Sequence, residues 1–314
     1  MHLKKPKFWD YKEPSIYSYI LWPISILIKI INSFKTKQKV KNYKIKTICV
    51  GNIYLGGTGK TSLVIKINEI LTKKNIKSCF VKKYYKNQID EQKLLKSRGN
   101  LFSSKKRVEA LNQAVENNYQ VAIFDDGLQD YSINYDVHLL CFNSLNWIGN
   151  GMTIPSGPLR EDLKHLKKYN HIFLNGSSEN LTNIKEQILN IHPKINIHEG
   201  KYVPTNLNEF ELNNEYIAFS GIGNHKTFIS MIKEFGVKVI KDIEFPDHYK
   251  YTNYDINKII DLSNVLGYKI ITTEKDYLRL DRDKIDNINF IKSELKILDE
   301  DKLISTILKK DENN

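Results

Sequence analysis

The chain has 314 residues, of which 41% are hydrophobic and 27% are charged; this composition excludes a disordered chain, and the length allows two domains and a sizeable core. The net charge of +12 favours anionic partners, namely nucleic acid, acidic lipid or phosphorylated substrates. The three cysteines, Cys49, Cys79 and Cys141, lie in short apolar segments without a C-x-x-C pair, which argues against a disulfide framework or a zinc site and predicts buried thiols in a reducing compartment.

The first predicted element is an apolar helix over residues 16–34. These nineteen residues contain one charged side chain, Lys29, and their number is close to what a membrane-spanning helix needs. No small-residue cleavage site follows, so the segment is not a signal peptide. Three interpretations stay open: a helix buried in the core, a spanning helix, or a helix that lies in one leaflet. Tyr17, Tyr19, Trp22 and the lysines on both sides favour the last, because such residues are typical of a membrane interface.

After a lysine-rich linker, predicted strands alternate with predicted helices. The strands of the first half are residues 46–52, 76–82, 119–126, 137–143 and 171–176, and the helices are residues 61–75, 105–118 and 183–193. Two extended connections, residues 194–204 and 209–212, precede a second alternation that runs from residue 215 to the end. Such alternation predicts parallel, doubly wound sheets with a domain boundary near residues 195–215.

A glycine-rich loop lies between the first predicted strand and its helix. Its residues are Gly56, Gly57, Thr58, Gly59, Lys60, Thr61 and Ser62. Strand, glycine turn, Lys-Thr and helix together form a phosphate site, because backbone N–H groups and the helix N-terminus attract anions. Lys60 can reach the β- and γ-phosphates and the Thr61 hydroxyl can bind Mg²⁺. The strict G-x-x-x-x-G-K-[ST] pattern fails, since Tyr54 occupies its first glycine position; the G-G-x-G-K-T variant fits.

Two carboxylates end another predicted strand. Asp125 and Asp126 follow the apolar run "VAIF", and ligands bind at this edge of parallel sheets. Taken alone, "DDG" is equally typical of a turn. Together with the loop, it predicts that one or both carboxylates hold Mg²⁺ directly or through water.

Four further segments at strand-to-helix junctions complete a pattern: "GNGMTIPSGPLREDL" (149–163), "FSGIGNHKTF" (219–228), "FPDHYKYT" (245–252) and "TTEKDYLRL" (272–280). With the glycine loop and "DDGLQD", in this order, they resemble the tetraacyldisaccharide 4'-kinase family over residues 12–282. The resemblance implies two α/β/α sandwich domains with a site in the cleft between them. It also implies an ATP- and Mg²⁺-dependent kinase that phosphorylates the 4'-hydroxyl of tetraacyldisaccharide 1-phosphate, giving the 1,4'-bisphosphate of lipid A biosynthesis (lipid IVA).

The resemblance further implies an organisation and a location. Residues 1–45 would form a membrane-associating helix and basic linker, residues 46–200 a P-loop kinase domain, and residues 201–314 a smaller α/β domain that closes over the cleft. The enzyme would work at the cytoplasmic face of the bacterial inner membrane, bound to its anionic surface, without nucleic acid and without an obligatory protein partner.

The resemblance also assigns roles to individual residues. ATP would be bound by the glycine-loop residues 56–62 and Arg160, and the metal by Thr61, Asp125, Asp126 and Glu161. The catalytic residues would be Asp90, Asp247, His248 and Lys60. A sugar hydroxyl needs a base within hydrogen-bond reach, and an Asp90–His248 pair would keep that base oriented.

The chain departs from the family pattern near the expected site. The family's "SRGY" is "KKYY" at residues 82–85, and the histidine expected after "DDGLQ" is Asp130. The "GDEP" that would surround Asp90 has lost its glycine and proline. Three consequences stay open: altered nucleotide contacts, a modified acceptor, or reduced activity. An active kinase is favoured, because the residues for metal and phosphate are retained.

Two other classes of function compete. A membrane-associated regulatory ATPase shares the G-G-x-G-K-T loop, but that class carries a lysine where this chain has Leu55, and it has no need of "FPDH". A nucleic-acid-binding protein would fit the charge alone; the lysines outside the linker are dispersed and show no basic–aromatic pattern.

Overall fold

The computed structural model describes residues 5–33, 43–86, 89–176, 181–247, 249–281 and 287–309. Within them the chain forms two compact units, one of residues 5–200 with the segment that begins at residue 297, and one of residues 201–296. Both units combine sheets with helices, and every strand pair with a stated direction is parallel, as the predicted α/β class requires.

The strands are β1 (Lys46–Gly51), β2 (Ser78–Lys83), β3 (Leu101–Ser104), β4 (Val121–Asp125), β5 (Val137–Asn143), β6 (His171–Asn175), β7 (Asn196–Pro204), β8 (Glu215–Ser220), β9 (Lys238–Glu244), β10 (Lys269–Thr273), β11 (Ile288–Ile291) and β12 (Ser293–Ile297). The α-helices are α1 (Ile16–Ser33), α2 (Lys60–Lys73), α3 (Ile89–Arg98), α4 (Arg107–Glu116), α5 (Leu181–Ile191), α6 (His225–Glu234), α7 (Asn253–Leu266), α8 (Glu274–Tyr277) and α9 (Glu300–Leu308).

The larger sheet has the order β12-β7-β6-β5-β1-β4-β2-β3. Its central strands are apolar on both sides because helices cover both faces. Cys49 and Phe124 pack with α4 in one core cluster. On the opposite face, the Ser78 hydroxyl of β2 donates to Asn68 of α2 over 2.8 Å. Since side chains alternate along a strand, even-numbered residues of β2 face the side of α2.

The segment from residue 297 belongs to the first unit. Its helix α9 buries Leu303 and Ile307, and Glu300 lies 3.4 Å from the Lys66 ammonium of α2. The prediction of an extended segment at residues 209–212 was wrong. A short 3-10 helix, Leu207–Glu209, begins this stretch.

The smaller sheet has the order β11-β10-β8-β9. Tyr216 and Ala218 of β8 point to a core with α6, and Ile217 and Phe219 point to a second core with α7. Helix α7 begins with a capping box, in which Thr252 and Asp255 satisfy each other's backbone N–H groups. This unit is therefore also a sheet covered on both faces.

Helix α1 presents apolar side chains outward. Ile16, Ile20 and Leu27 are more than half exposed, so the interpretation as a buried core helix was wrong. Within the described residues, none of the helices meets the length and hydropathy that crossing a membrane would take; Phe34, the last residue of the predicted helix, lies outside them.

Candidate active site

The glycine loop joins β1 to α2 as predicted. Gly59, which precedes the first residue of α2, has φ of 86°, a left-handed conformation that favours glycine. The carbonyl of Thr58 accepts hydrogen bonds from Cys141 Sγ at 3.0 Å and from Asn175 Nδ2 at 3.2 Å. Strands β5 and β6 therefore hold the loop, and Lys60 and Thr61 begin the helix directly behind it.

Asp125 meets the loop at the end of β4. Its carboxylate accepts a hydrogen bond from the Thr61 hydroxyl, with Oγ1–Oδ2 at 3.2 Å, and the Lys82 ammonium lies 2.6 Å from the same oxygen. Lys82 also lies 2.6 Å from Glu91 Oε2. Although burial lowers the pKa of Lys82, the carboxylates of Asp125 and Glu91 raise it above its ordinary value, so the buried side chain stays charged.

Asp126, the next residue in the chain, has a strained backbone conformation. Its φ is 61°, which is uncommon for a residue with a β-carbon. Arg160 Nη1 lies 3.6 Å from Asp126 Oδ2, and Arg107 donates to the Asp126 carbonyl. The other carboxylate oxygen, Oδ1, is buried and has no hydrogen-bond partner among the described residues. A buried carboxylate oxygen without a donor is suited to a cation.

A cavity of about 470 Å³ opens beside Asp126. Its lining residues are Lys83, Tyr85, Arg107, Asp126, Gly127, Gln129, Asp130, Tyr131, Ser132 and Arg160. Arg107 lies 2.9 Å from Asp130. Burial alone would raise the pKa of Asp130, but hydrogen bonds from Ser132 and Arg107 bring it below its usual value. The walls thus offer several cations and hydroxyl groups to a polar, anionic ligand.

The backbone around Arg160 is hydrogen-bonded to the segment directly before the glycine loop. The Arg160 N–H donates to the Ile53 carbonyl at 2.6 Å, and the Leu55 N–H donates to the Pro158 carbonyl at 2.8 Å. Arg160 Nη1 also donates to Gln129 Oε1 at 3.1 Å. The segment "GPLR" therefore lies along residues 53–55, directly before the glycine loop, and its arginine lines the cavity.

The Glu161 side chain contacts His165 and Tyr169. Its carboxylate accepts from the Tyr169 hydroxyl at 3.2 Å and lies 3.3 Å from His165 Nδ1. These contacts are with the 3-10 helix Leu163–Lys168 and the residue after it, not with Thr61 or Asp125. The structure thus brings Thr61 to Asp125, places the Asp126 carboxylate beside Arg160, and holds Glu161 in a separate network.

The remaining predicted residues lie apart in the chain. Asp90 is exposed in the first turn of α3 and belongs to the first unit. Asp247 is exposed in the loop after β9 and belongs to the second unit. His248 lies outside the described residues. The pairing of Asp90 with His248 stays a prediction.

Comparison with known proteins identifies the chain. A family model described as "Tetraacyldisaccharide-1-P 4'-kinase" matches residues 17–312, nearly the whole length. The chain belongs to the tetraacyldisaccharide-1-P 4'-kinase family. The tetraacyldisaccharide 4'-kinase of Pelagibacter ubique (strain HTCC1062) is 56% identical, with all of both chains covered. That of Rickettsia akari (strain Hartford) is 31% identical, with 97% of each covered.

The fold agrees with this family as well. The crystal structure of LpxK from Aquifex aeolicus, described as an "apo" form in complex with ATP, aligns with a TM-score of 0.66 at 24% identity and covers 94% of this chain and 100% of its own. Membership confirms the family and enzyme class predicted from the sequence: the chain is an ATP-dependent phosphotransferase of lipid A biosynthesis. Kinases of this kind act with ATP and Mg²⁺. The regulatory ATPase alternative is not favoured.

Sequence reasoning missed three residues that the structure places at this site: Lys82, Arg107 and Gln129. Each is a polar side chain that contacts Asp125, Asp126 or Arg160. Lys82 gave a partial signal, since it is a lysine that directly follows the apolar residues Cys79, Phe80 and Val81 of β2. Its partner could be named only once β2 was known to lie beside β4.

Proposed function

We propose that this chain transfers the γ-phosphate of ATP to the 4'-hydroxyl of tetraacyldisaccharide 1-phosphate, using the glycine loop with Asp125 and Asp126. The observation that carries this site is a group of oxygens: the Thr61 hydroxyl, the Asp125 carboxylate 3.2 Å from it, and the unpartnered Oδ1 of Asp126. Thr61 and Asp125 lie where the loop presents a lysine and a helix N-terminus, and Asp126 follows Asp125 in the chain.

The phosphates of ATP would lie over residues 56–62. The N-terminus of α2 carries positive potential, and backbone N–H groups in the loop can donate to phosphate oxygens. Lys60 follows Gly59 directly, and its ammonium would neutralise negative charge on the phosphoryl group that is transferred. Arg160, held by the Ile53 carbonyl, would add a second cation from the cavity side.

The metal would be held by Thr61, Asp125 and Asp126, with Glu161 as an outer partner. These are hard oxygen donors, which Mg²⁺ prefers. Among the described residues no three His, Cys, Asp or Glu side chains form a metal cluster; kinase sites fit this, since they use one or two carboxylates with waters and phosphates. When bound, Mg²⁺ supplies charge neutralisation for the phosphoryl group.

The acceptor would enter the cavity beside Asp126. The cations at its wall, Lys83 and Arg160 among them, suit a sugar that carries a phosphate. Asp90 would accept the proton of the attacking hydroxyl; Asp247 and His248 are the other residues that the family resemblance assigns to this step. Removal of this proton is the chemical step that residues of the chain perform themselves. Their remaining contribution is to position ATP and the acceptor.

We propose that α1 lies in a membrane surface. Its inward side is polar: the buried Ser25 hydroxyl lies 2.8 Å from Ser156 Oγ, and the buried Ser18 accepts from Asn150 at 2.9 Å. Its outward side is apolar, with Ile20 66% exposed. This is the reverse of a helix that covers a protein core and is suited to an acyl-chain environment, where a lipid substrate lies.

Rates of phosphoryl transfer by point variants test the proposed site. Lys60→Ala should lower the turnover of acceptor by at least about 10²-fold, because one phosphate-stabilising donor is lost. His248→Ala should slow the chemical step by about 10²–10⁴-fold if it belongs to the base pair.

Lys73→Ala is the matched control for the first variant. Lys73 is an exposed lysine in the last turn of the same helix and should leave the rate unchanged. A Lys60→Ala enzyme that phosphorylates the acceptor at the wild-type rate would exclude the glycine loop as the site of transfer.

A further inference from the structure

Lys82 is a buried cation that joins two parts of the proposed site. Its side chain is 4% exposed and lies 2.6 Å from both Asp125 Oδ2 and Glu91 Oε2. Asp125 is itself 1% exposed. A charge removed from water needs close partners, and here one ammonium group joins these two carboxylates.

The two carboxylates belong to different elements with different proposed roles. Asp125 ends β4 and contacts Thr61 of the glycine loop. Glu91 lies in the first turn of α3, directly after Asp90, the proposed base. A second contact ties the same helix to the chain after β2, since Gln92 Nε2 donates to the Tyr85 carbonyl at 3.0 Å. The residues just after Lys82 and the start of α3 are thus held together.

We propose that Lys82 is a positioning residue that fixes the start of α3, and with it Asp90, relative to the metal-binding carboxylate Asp125. This inference rests on the proposed function, because it takes Asp90 as the base and Asp125 as a metal ligand. Lys82 acts through these residues and does not itself touch the substrate.

The charge of Lys82 also affects the binding of Mg²⁺ at Asp125. Its ammonium lies on the Asp125 oxygen that also accepts from Thr61. A fixed cation there reduces the negative potential available to a divalent cation. Lys82 therefore weakens Mg²⁺ binding at Asp125 while it holds the base in place, and the two effects can be separated by substitution.

Steady-state kinetics of Lys82→Met and Glu91→Gln at varied Mg²⁺ provides the test, together with calorimetric titration of Mg²⁺ in the presence of a non-hydrolysable ATP analogue. Lys82→Met removes both links, so kcat should fall by about 10- to 100-fold through misplacement of the base, and the Mg²⁺ concentration at half-maximal rate should fall severalfold. Glu91→Gln removes the negative charge from the link to α3 and leaves the link to Asp125 intact. Its kcat should also fall, but its Mg²⁺ concentration at half-maximal rate should not. Lys82→Arg, which keeps the charge, should recover part of the lost kcat.

Lys93→Met is the charge-matched control, since Lys93 is an exposed lysine of the same helix. Lys82→Met leaves two carboxylates without their cation and can lower the yield of folded enzyme; Glu91→Gln then decides the inference alone. If Lys82→Met or Glu91→Gln keeps kcat within about twofold of wild type, or if both move the Mg²⁺ dependence equally, the inference is wrong. Failure of the wild-type enzyme to phosphorylate the acceptor would instead contradict the proposed function.

Discussion

Polar substitutions on the outward side of α1 should weaken binding to membranes. Ile20, Leu27 and Ile31 lie along one stripe and are 66%, 57% and 58% exposed. Full burial of such a side chain contributes about 1.5–3 kcal/mol, so insertion of the exposed part contributes about 1 kcal/mol or more for each. Replacing all three by Gln should therefore cost at least about 3 kcal/mol of membrane affinity, or about 100-fold in partition coefficient.

The assay is co-sedimentation of the full chain with vesicles that contain anionic phospholipid. Gln is a good helix former, so α1 itself should persist in the variant. The matched control replaces Tyr254, Val265 and Leu278, which are 74%, 82% and 78% exposed in the second unit, by Gln. The control should bind vesicles like the wild type. A triple α1 variant whose partition coefficient stays within about threefold of wild type would refute the reasoning.

Three further predictions concern the loop, a histidine and the thiols. Gly59→Ala should destabilise the fold by about 1–2 kcal/mol and weaken nucleotide binding, because an L-residue is strained at this φ; unchanged thermal unfolding and nucleotide titration would contradict this. Burial, chiefly, lowers the pKa of His198 to about 4; its neutral native form contributes stability above about pH 6.5 that is lost as the pH falls toward 4, up to about 3 kcal/mol. Denaturant unfolding at several pH values should show this loss in the wild type and a smaller loss in His198→Gln. If the free energy of unfolding falls equally with pH in both proteins, His198 is not the cause. Burial raises the pKa of Cys79 and of Cys141 to about 12, so no thiol of native protein, Cys49 included, should react with an aromatic disulfide at neutral pH, and all three should react after unfolding; rapid labelling of native protein would disprove it.

The phosphate loop could be predicted from local spacing alone. A buried strand, a glycine-rich turn and a Lys-Thr helix start follow one another in the chain, and the structure has this order, with Gly59 directly before α2. The phosphate-binding roles of Lys60 and Thr61 stay predictions. The position of Asp125 followed from a rule of parallel sheets, since strand ends gather at one edge. Helix α3 and strand β3 were missed, because α3 is largely polar and β3 has four residues.

The charge network around Asp125 could not be predicted. It depends on the strand order β1-β4-β2, which brings Lys82 next to Asp125, and no sequence period reveals that order. For α1 the sequence left three interpretations open and favoured a helix in one leaflet; only the exposure of Ile16, Ile20 and Leu27 in the structure excludes the buried core helix. The domain limits and the pairing of Asp90 with His248 stay predictions.

The position of the transferred phosphate on the product is the most direct test. The purified chain would be incubated with Mg²⁺, ATP labelled at the γ-phosphate and vesicles of tetraacyldisaccharide 1-phosphate, and the labelled lipid would be analysed by mass spectrometry. We expect the label on the 4'-oxygen, dependent on Mg²⁺ and lost in Lys60→Ala. Release of labelled inorganic phosphate with no labelled lipid would contradict transfer to the sugar and favour the regulatory ATPase.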